Sequence, residues 1–168
     1  MKIKLFLVVA MTMFVMGIAL IGCGTSNVNA VSSKLIASEK TGPLDFFELA
    51  EQGVLAYKIS NQEEYITQWQ NFRLKEDPID IDWNNQTVIF LGLIESGTCP
   101  FQFENVELKN DKTEIIFQFK EETANACTDD ATPRTIVIVM DSNELNNVSV
   151  LKIDDYFGIN PSVGFKNK

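Results

Sequence analysis

Thr87-Val88-Ile89-Phe90-Leu91-Gly92-Leu93-Ile94, "TVIFLGLI", carries no charge and a single hydroxyl along its length. An unbroken apolar run of this length predicts a central strand covered on both faces, because a strand with one wet face would alternate. Downstream, residues 101 to 108 do alternate, but their apolar set changes parity between Phe103 and Val106, which predicts a bulge near Glu104-Asn105. Lys109-Asn110-Asp111-Lys112 reads as a polar turn, and residues 114 to 120, "EIIFQFK", return as its hairpin partner with Ile115, Phe117 and Phe119 on one face. Residues 135 to 140, "TIVIVM", make another β-branched strand, and residues 148 to 153 a last one.

Upstream of the run, residues 55 to 59 read as a strand, and Ser60-Asn61-Gln62-Glu63 as a capping box with Ser60 at the N-cap. Tyr65, Ile66, Trp69 and Phe72 recur at helical spacing until Pro78 bars extension, predicting an amphipathic helix of about three turns laid on a sheet. Tyr65 and Trp69 at this spacing fit core packing better than a ligand-stacking pair. Residues 43 to 53 open with proline and close with glycine, as a short helix would. The expected class is α+β: a mainly antiparallel sheet or sandwich with one amphipathic helix packed on it.

The chain of 168 residues begins with Lys2 and Lys4, then runs apolar from residue 5 to 21 before turning polar. That layout is a secretion signal. Leu20, Gly22 and Cys23 at its end resemble the lipobox of bacterial lipoproteins, in which the cysteine thiol is acylated and the chain is cut in front of it. A single spanning helix fits the run's length, but it has no use for a small residue and a cysteine at the boundary. The division expected is a lipoprotein signal peptide over 1–22, a flexible tether over 23–33, and one binding domain over 34–168. Two acyl chains, at about 0.8 kcal/mol per buried methylene, would hold the protein to the extracytoplasmic face of the cell membrane.

Without Lys2 and Lys4, 12 basic residues face 23 acidic ones, a formal charge of −11 with no basic block. Nucleic acid and anionic membrane surfaces are poor partners for such a field, and solubility accounts for the acidity. With Cys23 given to lipid, Cys99 and Cys127 remain as a pair in a compartment where disulfides persist, and a structural bridge is expected over a reactive thiol pair.

The order strand, helix, proline, Asp-aromatic and apolar strand ending in Leu-Gly, here Ser60, Glu63, Tyr65, Trp69, Pro78, Asp82, Trp83 and Val88 to Gly92, resembles the PrcB-like lipoprotein domains. The later hairpin, a loop with Pro133 and the strand "RTIVIVM" are similar too, so the resemblance runs from about residue 55 to 140. It implies a membrane-anchored accessory lipoprotein that binds or stabilises an exported protease complex, and it implies no catalytic residue. The chain departs from that family after the Leu-Gly strand, where Ser96-Gly97-Thr98-Cys99-Pro100 stands in place of a Gly-Gly-aromatic turn.

The sequence contains no histidine, which removes the commonest general base and zinc ligand. No hydrolase or phosphate-cradling motif occurs, so no catalytic residue, cofactor or resident metal is assigned. Asp80 and Asp82 would share one face if their segment were a strand, a pattern that paired glycosidase acids and a solvated face both produce. Asp129-Asp130 offers hard oxygen ligands for calcium, or is a solvated acidic loop. The most distinctive surface is where two cysteine loops meet, "ESGTCPF" from residue 95 and "NACTDDATPR" from residue 125. A bridge would stiffen that edge between Pro100 and Pro133, which either makes a binding edge or only pins two strand ends. The partner-binding candidates are Pro100, Asp129, Asp130, Pro133 and Arg134, with Cys99 and Cys127 as the bridge and Cys23 as the lipid site.

The function expected is a non-enzymatic, protein-binding accessory module, and the alternative is a small-ligand or ion-binding lipoprotein of the cell envelope. Replacing Cys23 by alanine should leave an uncleaved precursor without lipid; mass spectrometry that found the normal acylated mass in that variant would refute the lipobox reading.

Overall fold

The apolar run 87 to 94 lies within β4 (Gln86–Glu95), which is flanked on both sides by neighbours in one sheet and covered on both faces. The structure, a computed structural model, describes residues 28–109, 111–121 and 126–166. Its strands are β1 (Val28–Ala30), β2 (Ser33–Glu39), β3 (Val54–Ile59), β4, β5 (Phe101–Lys109), β6 (Glu114–Glu121), β7 (Thr132–Asp141), β8 (Val150–Asp154) and β9 (Ser162–Gly164). The helices are α1 (Phe46–Leu49), α2 (Gln62–Asn71) and α3 (Ser142–Leu145). The class is α+β, mostly antiparallel sheet with few short helices.

A four-stranded sheet has the order β2-β7-β4-β3 and a five-stranded sheet the order β1-β5-β6-β8-β9. All pairs are antiparallel except β6 with β8. Successive residues of a strand face opposite ways, so each central strand feeds two cores. Ile89, Leu91 and Leu93 of β4, with Ile136, Ile138 and Met140 of β7, pack toward the five-stranded sheet and meet Val106, Ile115, Phe117, Leu151 and Ile153. Val88 and Phe90, with Val137 and Val139, face the other way, against Phe46 of α1 and Tyr65, Trp69 and Phe72 around α2. The molecule is thus layered as α1 and α2, four-stranded sheet, five-stranded sheet, with Leu145 of α3 in the core between the sheets. Tyr65 and Trp69 are core residues, edge-on to each other, with Trp69 edge-on and Tyr65 tilted against Phe90, at ring separations of 5.4 to 6.2 Å. Fully burying each such side chain stabilises by roughly 1.5–3 kcal/mol.

Several local expectations hold. The parity slip in β5 is a register shift between Phe103 and Asn105, and β5 and β6 form the expected hairpin. The bulge lets Phe101 and Val106 both face inward despite their odd spacing. Other expectations are corrected. The N-cap of α2 is Asn61, whose side-chain oxygen accepts from the Glu64 amide at 2.9 Å, and not Ser60; Asn61 has the extended backbone that a cap requires. The helix over 43 to 53 shrinks to the single turn of α1, because Gln52 and Gly53 adopt positive φ in a two-residue turn between the bridged Glu51 and Val54. Asp80 and Asp82 are not in a strand; Asp82 instead accepts from the Asn84 amide and the Asn85 side chain. Short sequences hid β1, β2, β9 and α3, which carry too few apolar residues to show a period.

The domain boundary also moves. Residues 28–33, assigned to the tether, belong to the fold: β1 pairs with β5, Val28 opposite Lys109, and Ser33 pairs with Met140. Pairing to an existing strand edge compensates for a composition that could not form a core by itself. Cys23 and the signal segment lie outside the described residues.

The turn that ends α2 has a defined shape. The Arg73 amide donates to the Gln70 carbonyl and the Leu74 amide to the Trp69 carbonyl, the paired bonds of a Schellman ending. Arg73 sits at φ +57 at the position where such endings usually carry glycine.

At Gly92 the rings of the helix layer lie directly on the sheet backbone. A Cβ there would lie 2.8 Å from the Phe46 ring and 3.3 Å from that of Phe72, so the absence of a side chain sets the spacing between layers. Gly92→Ala should lower stability by about 1–3 kcal/mol, the usual penalty for overpacking. Urea denaturation checks this, and the loss should shrink when Gly92→Ala is combined with Phe46→Leu, which withdraws the opposing ring.

Candidate functional site

Strand direction sorts the loops into two ends. β4 runs from Gln86 to Glu95 and β7 returns from Thr132 to Asp141, Gln86 opposite Asp141 and Glu95 opposite Thr132. The entry of the chain, at Val28 opposite Lys109, lies at the Asp141 end with Lys112 and Glu144. At the other end lie the loops 96–100 and 126–131, the turn 155–159, and the segment 40–45.

At that loop end Cys99 and Cys127 form a disulfide, with Cα atoms 5.4 Å apart. Cys99 is buried and Cys127 exposed, so the bridge ties an outer loop to the sheet. Around it the hydroxyls of Ser96, Thr98 and Thr128 lie 3.2 to 3.4 Å from one another. The Thr128 amide donates to the Thr98 hydroxyl at 2.9 Å.

Asp130 completes the joint. Its carboxylate accepts from the Gly97 amide at 2.9 Å and from the hydroxyls of Thr128 and Thr132. Those hydrogen bonds, Thr128 first and then Gly97 and Thr132, hold its carboxyl down to about 2. Gly97 is required for the contact, since a Cβ would lie 2.3 Å from the Asp130 carboxylate. Both oxygens of Asp130 are therefore engaged by the loops although the residue is exposed, as is Asp129 beside it. Among the described residues no three His, Cys, Asp or Glu side chains gather as a metal site would require.

Arg134 is the main correction to the sequence-based site. It is 8% exposed and belongs to the core, where its Nε donates to Glu95 Oε2 at 2.5 Å and its Nη1 to the Ser38 hydroxyl at 3.0 Å. Glu95 is fully buried, and its Oε2 also accepts from the Phe101 amide, while Oε1 has no partner among the described residues. Register explains the pair: Arg134 lies opposite Leu93, making Glu95 its diagonal neighbour on the face toward the five-stranded sheet. Sequence reasoning missed Glu95, although a lone charge closing an apolar strand is a signal that a buried countercharge is needed. Pro133 is half-buried, its Cβ near Gly42, and Pro100 is half-exposed at the rim.

Tyr156 fastens the turn 155–159 to the same end. Its hydroxyl accepts from the Ile94 amide and donates to the Ile94 carbonyl, both at 2.8 Å, and burial pushes it up to about 12. The turn's next residue, Phe157, has φ +50 followed by Gly158 at φ +74, between bridged Tyr156 and Ile159, as in a tight two-residue hairpin turn. Phe157 rests on Phe101 at 5.3 Å yet is 56% exposed, and Ile159 is 51% exposed. Neither residue drew attention in the sequence, because a hairpin tip usually carries Asn-Gly and "DDYFGIN" has no period to read.

The loop end thus combines a disulfide, a hydrogen-bonded acidic joint and exposed apolar tips on rigid strand ends. Truncating Arg134 to alanine should destabilise the fold by roughly 3–5 kcal/mol by leaving Glu95 buried and uncompensated. Thermal denaturation tests this, and Glu95→Gln combined with Arg134→Met should recover part of the loss. Comparison of the chain with protein-family profiles, with curated proteins and with solved structures returned no match.

Proposed function

We propose that the chain is a lipid-anchored extracytoplasmic lipoprotein whose sandwich-like domain, with α2 laid on it, binds a protein partner through the disulfide loop end. It has no catalytic role in this reading, and the partner implied by the PrcB-like resemblance is an exported protease complex. One observation carries the proposal: the chain enters the fold at the end opposite the disulfide loops. Four residues separate Cys23 from Val28, and a fully extended chain gains at most about 3.3–3.6 Å per residue, so an acylated Cys23 keeps the entry end close to the bilayer. Ten-residue strands such as β4 and β7, rising about 3.3 Å per residue, then carry the loop end roughly 30 Å outward.

The exposed residues at that end support a protein contact. Phe157 and Ile159 offer apolar anchors, Pro100 and Asp129 lie in loops stiffened by the bridge, and little conformational entropy is lost when such loops dock. An ion site at Asp129-Asp130 gains no support, since Asp130 is committed to Gly97, Thr128 and Thr132.

The test is a crosslinking pull-down of the tagged full-length protein from detergent-solubilised membranes, with the wild type beside a Phe157→Ser, Asp129→Ser variant. One exported protein should be recovered reproducibly by the wild type and several-fold less by the variant. Recovery of the lipoprotein alone, or equal recovery by both, would overturn the loop-end assignment.

A further inference from the structure

Beside the disulfide end, a cleft of about 530 Å³ opens between the end of α2, α1 and the segment leading into it. Its walls include Leu44, Asp45, Leu49, Tyr57, Gln68 and Arg73. Several of these residues are unfavourable choices for the fold alone. Leu44 is 88% exposed, and Phe47 on the adjoining turn of α1 is 60% exposed while one side of its ring meets Phe46 edge-on at 5.4 Å. Arg73 occupies the left-handed position of the Schellman ending, where glycine would be relaxed. Gln68 is a nearly buried carboxamide, 4% exposed, on the helix face where apolar residues pack.

Conflicts between local preference and sequence, gathered at one concave place, mark function more often than stability. The arrangement of Arg73 adds direction. Its Nε donates to the Gly42 carbonyl at 2.7 Å, fixing the guanidinium at the rim, and among the described residues it forms no ion pair. Asp45 is close enough to Tyr57 to help burial raise that phenol, so a carboxylate and a hydroxyl also address the cleft. The chain is strongly acidic overall and Asp45 lines the same cleft, but at physiological ionic strength the field of more distant charges is screened over about 8 Å, so the Arg73 guanidinium itself is the point that attracts an anion.

We propose that this cleft receives an extended peptide segment of the protein partner, one in which an apolar side chain stands next to an acidic one. The apolar side chain packs on Leu44 and Leu49, the acidic one pairs in a fork with the Arg73 guanidinium, and the segment's backbone amides meet Asp45 and Gln68. This deepens the protein-binding reading above and rests on it. The cleft adjoins the disulfide loops, since Gly42 approaches Pro133 and Lys40 donates to the Gly97 carbonyl, so one partner can span both.

The experiment is selection of a displayed random-heptapeptide library on the tagged full-length protein in detergent micelles, followed by affinity measurement of the selected consensus peptide. Enriched sequences should place Glu or Asp beside Leu, Ile or Phe. Affinity should fall at least about tenfold with Leu44→Ser, a change on an exposed residue, and with Arg73→Gly, while the melting temperature of Arg73→Gly stays level or rises. No enrichment of acidic-apolar pairs, or unchanged affinity in both variants, would overturn the inference. Tenfold loss of the same peptide in Phe157→Ser with none in Leu44→Ser would overturn the cleft while leaving the loop-end reading intact, and loss of membrane pull-down capture alone would do the reverse.

Discussion

The pairing of β4 with β7 is the constraint on which the other layers depend. Ten consecutive residue pairs run from Gln86 opposite Asp141 to Glu95 opposite Thr132, and both strands are apolar on both faces. Neither face can be left to water, so a helix layer and a second sheet must each find a surface to cover. The same pair fixes the ends of the molecule. Because β4 and β7 are central and antiparallel, the loops after β4 and before β7 necessarily meet, and the disulfide, the Asp130 joint and the Glu95–Arg134 pair all follow from that meeting.

The two charged contacts at this end do different work. Glu95 and Arg134 are withdrawn from water, so their value to the fold lies mainly in each preventing the other from being an isolated buried charge. Asp130 is exposed and gains from hydrogen bonds that favour its ionised form, which orders the outer loop at little desolvation cost. Together they place a rigid rim around a surface whose tips, Phe157 and Ile159, are apolar and open. The partner contact proposed above would use this rim, because loops already held in place lose little entropy on docking.

Arg73 and Phe157, the residues on which the two proposed contacts depend, share a backbone feature. Both hold left-handed backbone positions where glycine or asparagine would be at ease, and both carry large side chains that reach solvent. The cost of each is small against the burial supplied by Tyr65, Trp69, Phe72 and Phe90, so the fold tolerates them.

Much of the architecture was legible in the residues by themselves. The both-faces character of 87 to 94, the parity slip in β5, the hairpin turn and the aromatic stripe of α2 are periodic signals, and local chain geometry translates them directly. The Cys99–Cys127 bridge was legible from the cysteine count, with Cys23 set aside, and from the expectation of an oxidising compartment. What needed the tertiary structure were relations between distant segments: that residues 28 to 33 join the sheets through β1 and β2, that Arg134 turns inward to Glu95 and not outward, and that Arg73, Asp45 and Tyr57 share one cleft. A strand's pattern says which face a residue takes, but not what packs against that face. The sequence by itself determined the elements and their amphipathic faces, because these depend on neighbours along the chain; only the packed structure decided which charges are buried and which surface remains open, because those depend on partners brought together across the sheets.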